Sequence, residues 1–142
     1  MTIAAILEGK GYDVVSIDAE RTVTEAAALL SERGIGAVPV MQNGDVAGIF
    51  SERDVIHCLA KHGASALDRP VSDVMTAPAI TVARGESVLA ALALMTRRRI
   101  RHLPVVEGGR CIGLVSIGDL VKYRIDRIES DAEAMRAYIQ TA

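Results

Sequence analysis

Two periods of apolar residues alternate along this chain, and each change of period marks an element. Val23, Ala26, Ala27 and Leu30 fall three and four apart, the spacing of one helix face. Thr22 precedes them as an N-cap and Gly34 follows as a stop. Ala37-Val38-Pro39-Val40-Met41 is a short continuous apolar run, which predicts a buried strand. Asn43-Gly44 is a strong hairpin signal, and Val46 to Phe50 predicts the returning strand. Ser51 to Asp54 opens a further helix that runs to about Lys61. Upstream, Thr2 caps a short helix, Ile3 to Glu8, stopped by Gly9 and Gly11, and Val14 to Ile17 predicts a strand.

The second half repeats the first. Residues 15–55 align with residues 80–120 without a gap, at a constant offset of 65. Val23 meets Val88, Pro39 meets Pro104, Gly48 meets Gly113, and Ser51 and Asp54 meet Ser116 and Asp119. Ile80-Thr81-Val82 predicts a strand, and Ser87 caps the stripe Val88, Ala91, Leu92, Met95. Ile100 to Val106 and Cys111 to Val115 predict two more strands around Gly108-Gly109. A repeat of this length is one folding unit with a hydrophobic face, and two copies bury those faces against each other. The expected layout is repeat one at 1–63, a linker with a short helical turn at 64–78, repeat two at 79–124, and a helical extension at 125–142. In the unrepeated tail, Val121, Ile125, Ile128, Ala132, Met135 and Ile139 form a stripe. That stripe either completes the core or faces a second protomer.

Composition narrows the class. Half of the 142 residues are apolar and only 3% are aromatic, so the core is aliphatic. A net charge of −2 argues against a broad nucleic-acid footprint. No apolar run approaches the ~20 residues of a membrane span. The start lacks a basic region followed by a long apolar one, so no signal peptide is expected. Two cysteines, Cys58 and Cys111, are too few for a disulfide framework, and a reduced, cytoplasmic compartment is expected.

Ser51-x-x-Asp54 and Ser116-x-x-Asp119 are the candidate chemistry. Each stands where a strand enters a helix, whose N-terminal amides attract phosphate. The carboxylate three residues on can accept from two adjacent hydroxyls, as on a ribose. The same spacing is also an ordinary capping box. Its recurrence at equivalent repeat positions shifts the balance towards a nucleotide site.

These motifs resemble those of a tandem pair of CBS (cystathionine β-synthase) domains, a Bateman module. The resemblance is carried by Gly36-Ala37-Val38-Pro39-Val40, Gly48-Ile49-Phe50-Ser51-Glu52-Arg53-Asp54, Val74-Met75-Thr76, Arg99 to Val106, and Gly113 to Val121. It covers nearly the whole chain and is closest in kind to the small stand-alone bacterial CBS pairs. The resemblance implies an α/β (α+β) fold of two pseudo-symmetric β-α-β-β-α repeats packed sheet to sheet. It also implies adenine-nucleotide binding (AMP, ADP, ATP, S-adenosylmethionine or NAD(H)) in two clefts.

One cleft would use Asp119, Ser116, Gly118 and Leu114 with Val14, Val15 and Ile35, and Arg101 and His102 towards the phosphates. The other would use Asp54, Ser51, Arg53 and Ile49 with Ala79, Ile80 and Ile100, and Gly36 and Ala37 where repeat two has Arg101 and His102. On this pattern the Asp119 cleft is expected to take the more charged ligand. CBS pairs also commonly form flat four-repeat homodimers that signal to a partner protein.

Other residues carry blander readings. Arg97 and Arg98 sit at a helix end, where cations complement the dipole. His57, Cys58 and His62 lack the convergent carboxylate and spacing of a metal site. No nucleophile stands beside a base, so an enzyme is not expected, and no catalytic residue or cofactor is assigned. The remaining alternative is a structural homodimer with degenerate clefts, indifferent to nucleotide.

Overall fold

The computed structural model describes residues 1–141. The chain runs α1 (Ile3–Lys10), β1 (Ile17–Asp18), α2 (Val23–Arg33), β2 (Ala37–Gln42), β3 (Asp45–Ser51), α3 (Glu52–His62), α4 (Val71–Val74), α5 (Val88–Arg98), β4 (His102–Glu107), β5 (Arg110–Ser116) and α6 (Ile117–Thr141). A 3-10 segment, Gly63–Asp68, joins α3 to the Pro70 turn. The fold is α+β, with small sheets and helices in two equivalent units.

Local chemistry sets the boundaries. The hydroxyls of Thr22 and Ser87 accept from the amides of Glu25 and Ala90, at 3.1 and 3.0 Å, and so cap α2 and α5. Gly34 ends α2 in the left-handed region, at φ 61. Arg99 ends α5 in the same conformation, at φ 54, where a side chain is less at home. Both hairpins turn on two residues of positive φ, Asn43-Gly44 and Gly108-Gly109, as type I′ geometry requires.

In the first sheet β1 pairs parallel with β2, and β2 pairs antiparallel with β3, with Val40 opposite Gly48. In the second, β4 pairs antiparallel with β5, with Val105 opposite Gly113. Two predicted strands are shorter than expected. Val14 to Ile17 joins the sheet only from Ile17 onward. Ile80-Thr81-Val82 makes a single parallel bridge, Val82 to Val105. The residues ahead of each pairing point have left the sheet edge, and Ile80 lines a cleft between the units.

The packing crosses the chain order. Ile3, Ile6 and Leu7 of α1 lie in the core of the second unit, among Val88, Met95, Leu103, Val115 and Leu120. Ala66 and Val71 of the linker lie in the core of the first, among Val23, Leu30, Val38, Val40 and Phe50. Backbone bonds fix both exchanges: the Ile3 amide donates to Glu86 O at 2.9 Å, and the Val71 amide to Arg21 O at 2.7 Å. So α1, expected with repeat one, packs on repeat two. Leu7 and Ile3 are fully buried there, and chain order carries no information about which sheet offers that surface.

Gly48 and Gly113 mark where each sheet is crossed. A β-carbon on Gly48 would lie 2.7 Å from the Thr76 carbonyl oxygen, and one on Gly113 2.6 Å from Leu7 Cδ2. β3 and β5 touch each other at the pseudo-dyad. α6 runs unbroken past residues 124 and 125, where repeat and extension were expected to meet. Its only buried residue is Leu120.

Candidate functional site

Each Ser-x-x-Asp closes a box at the start of a helix. The Ser51 amide and hydroxyl donate to Asp54 Oδ2 at 2.9 and 3.1 Å, and the Asp54 amide donates back to Ser51 Oγ at 3.4 Å. The Ser116 amide donates to Asp119 Oδ2 at 2.9 Å, and the Asp119 amide to Ser116 Oγ at 3.1 Å. The boxes therefore do cap α3 and α6. They also hold one carboxylate at each strand–helix junction, and Asp54 lines the space between the units.

What reaches each carboxylate from the other side differs. The Thr76 hydroxyl donates to Asp54 Oδ1 at 3.0 Å, and Thr76 exchanges two backbone bonds with Ile49. Opposite, Lys10 Nζ donates to Asp119 Oδ2 at 2.6 Å and to the Leu114 carbonyl at 2.8 Å. One acid thus meets a neutral hydroxyl and the other an ammonium. Burial pushes the Asp119 carboxyl up, but the Lys10 hydrogen bond, the Ser116 amide and the Lys10 charge together hold it below the ordinary carboxylate value. Asp54 is nearly buried, at 9% exposure, and keeps about one of its four acceptor sites unused.

A cleft of ≈ 490 Å³ opens between the units beside Asp54, within the size range of small-molecule sites. It gathers Ser51, Arg53, Asp54, Ile49, Gly36, Ala79, Ile80 and Ile100, with Ala37 buried behind in β2. Arg101 and His102, expected beside Asp119, line this cleft as well. Arg99 to Arg101 lie between the end of α5 and the start of β4 and line the mouth of the other unit's site.

The His102 ring lies 3.5 Å from where a β-carbon on Gly36 would stand. Burial and then the Lys10 charge lower the His102 pKa, against the raising pull of Asp119 and Glu52. Around Asp119, Gly118 stands 3.6 Å from Ser116 Oγ, measured from its would-be β-carbon. Val15 and Ile35 pack on the first core, and Val14 is half-buried nearby in sequence. These three are not among the residues lining the Asp54 cleft.

Sequence reasoning missed Lys10, Thr76 and Arg99 as parts of the sites. The repeat offers one signal for the first two: Lys10 and Gly11 align with Met75 and Thr76, so both pairs belong to the segment that crosses onto the opposite acid. Arg99 occupies the position of Gly34, and nothing in the pattern points its side chain into a cleft. The cleft is thus lined by three arginines, Arg53, Arg99 and Arg101, two acids, Glu52 and Asp54, and the apolar Ile49, Ile80 and Ile100. Among the described residues, no three His, Cys, Asp or Glu side chains converge to hold a metal. Cys58 is buried, and burial raises the Cys111 thiol above its ordinary value.

Two equivalent α+β units that trade segments and share a cleft define a tandem-repeat module. Residues 10–61 and 71–126 each match the CBS domain family, and the chain belongs to that family as a CBS domain pair. A mitochondrial CBS domain-containing protein of Arabidopsis thaliana is 34% identical over 148 residues, covering 98% of this chain and 72% of that protein. A CBS-domain-containing protein of Agrobacterium tumefaciens superposes with a TM-score of 0.84 at 39% identity, covering 87% of this chain and 99% of that one. The CBS domain pair of protein MJ0100, solved with 5′-methylthioadenosine and S-adenosyl-L-methionine, superposes with a TM-score of 0.79, covering 89% of this chain and 98% of that one. At 22% identity that last likeness is one of fold.

Proposed function

We propose that this CBS pair is a non-enzymatic regulatory module that senses an adenine nucleotide in the Asp54 cleft. The observation that carries this reading is one cleft lined by a ribose-type acid and three arginines across both repeats. The phosphates lie towards Arg53, Arg99 and Arg101, which offer charge-assisted, forked hydrogen bonds. The base lies against Ile49, Ile80 and Ile100. The ribose hydroxyls donate to Asp54, taking the place of the Thr76 hydroxyl at Oδ1. MJ0100, a protein of the same fold, holds S-adenosyl and methylthioadenosine ligands, which share the adenosine part.

With Arg101 and His102 on the Asp54 side, the more anionic ligand belongs in that cleft, and not in the one beside Asp119. Lys10 already neutralises Asp119, so a ligand there has to displace or share an ammonium. A ligand that touches both repeats favours whichever relative orientation it binds better, and can shift the pair only by that difference in affinity. A cytoplasmic homodimer passing this shift to a partner protein completes the reading.

Isothermal titration of AMP, ATP, NADH and S-adenosylmethionine tests it, with Asp54→Ala and Arg101→Ala alongside. One of the four is expected to bind saturably. Asp54→Ala then abolishes binding, and Arg101→Ala weakens a phosphate-bearing ligand by about tenfold or more. Folded, ligand-free protein that binds none of the four overturns the nucleotide assignment. It would leave the structural homodimer as the account.

A further inference from the structure

From Val121 onward α6 carries an apolar stripe that its own chain does not cover. Val121, Ile125, Ile128, Met135 and Ile139 are 42, 49, 53, 60 and 65% exposed. Tyr123 is the last α6 residue packed against either core. With Ala132, these residues are spaced four, three, four, three and four apart along one unbroken helix. The alternation of four and three is the narrow a/d pattern of a coiled-coil seam, kept over nineteen residues. A core-facing helix of a single globular unit shows a broader stripe.

We infer that this seam is an interface with a second copy of this chain, α6 against α6. The charges beside the seam argue for a copy of itself over an unrelated partner. With Ile125, Ala132 and Ile139 at a, the g positions hold Arg124, Asp131 and Tyr138, and the e positions hold Lys122, Glu129 and Arg136. In a parallel pair, g faces the next e of the partner, so Arg124 meets Glu129 and Asp131 meets Arg136. Both charged contacts of the parallel pair are attractive, whereas an antiparallel pair that keeps all six apolar positions together brings Asp131 near Asp131 and Glu129 near Glu129. In the parallel pair, six apolar positions and four ion pairs therefore close on themselves when the helix meets its own copy.

This inference deepens the homodimer of the proposed reading by naming its surface, and it does not depend on which ligand fills the cleft. Sedimentation equilibrium of the full chain and two variants tests it. Ile128→Asp puts a carboxylate in the centre of the seam, and it is expected to make the protein monomeric at concentrations where the wild type is dimeric. Glu129→Arg sets like charges against Arg124 across the parallel seam, and it is expected to weaken the dimer by about tenfold at low salt, less at high salt. Both substitutions lie beyond the packed part of α6, so circular dichroism and ligand titration are expected to match the wild type.

A wild-type monomer overturns the inference. So does a dimer that both variants leave unchanged, which would put the interface on the body of the molecule. A dimer lost with nucleotide binding intact supports the seam. Seam-dependent dimers without nucleotide binding sink the ligand reading alone.

Discussion

Lys10 and Thr76, one position apart in the repeat alignment, show how two otherwise equal sites come to differ. Both approach a Ser-x-x-Asp carboxylate from the segment that crosses from the other unit, but only Lys10 brings charge. The Lys10–Asp119 pair is 44% and 28% exposed, so solvent screening limits it to under ~1 kcal/mol. Its signature is pH dependence. Asp119 is held below the ordinary carboxylate value, so its contribution is present above that value and is lost as pH falls through the depressed one. Lys10→Met is expected to remove this part of the acid limb. Thermal unfolding of the two proteins should differ at neutral pH and converge in strong acid; equal curves throughout would show that the pair contributes nothing.

The two close-approach glycines give a second residue-level contrast. Gly48→Ala drives a methyl into a backbone carbonyl that is itself bonded to Ile49. Gly113→Ala meets the end of a leucine side chain. Gly48→Ala is expected to cost about 1–3 kcal/mol, and Gly113→Ala less. Denaturant midpoints that rank the other way would mean Leu7 is held more rigidly than the Thr76 backbone.

Among the elements, α5 is the one whose end looks compromised. Its partner α2 stops on Gly34, while α5 stops on Arg99 in the same left-handed conformation. A side chain there costs roughly 1 kcal/mol relative to glycine. In return Arg99 lines the Asp54 cleft. Arg99→Gly is therefore expected to raise the stability of the unliganded protein by about that amount while weakening a phosphate-bearing ligand. A thermal shift upward without ligand and a smaller shift with it would show both effects together. A variant that is destabilised would mean that Arg99 also supports the fold.

At the scale of the whole molecule, the exchange of α1 and the linker ties the two units into one. Leu7 is fully buried in a core built almost entirely by residues 82–120. Leu7→Ala is expected to cost about 2–5 kcal/mol, depending on how far the cavity closes. Hydrogen exchange should show where: amides of β4 and β5 lose protection before those of β2 and β3. Equal loss in both sheets would mean that the units unfold together, and earlier loss in the first sheet would contradict the packing.

The sequence by itself determined the elements and their pairing into two equal units. Caps at Thr22 and Ser87, the Asn43-Gly44 and Gly108-Gly109 turns and the 65-residue offset are local or repetitive signals, and each needs only its neighbours to act. Both Ser-x-x-Asp boxes were legible for the same reason. Tertiary structure alone decided which surfaces meet. Lys10 reaches an acid 109 residues away. α1 fills the core of the unit that follows later in the chain. Arg101 and His102 line the cleft beside Asp54, the acid of the other repeat. These are contacts between surfaces that periodicity makes equivalent. Only the packing of one unit on the other breaks that equivalence.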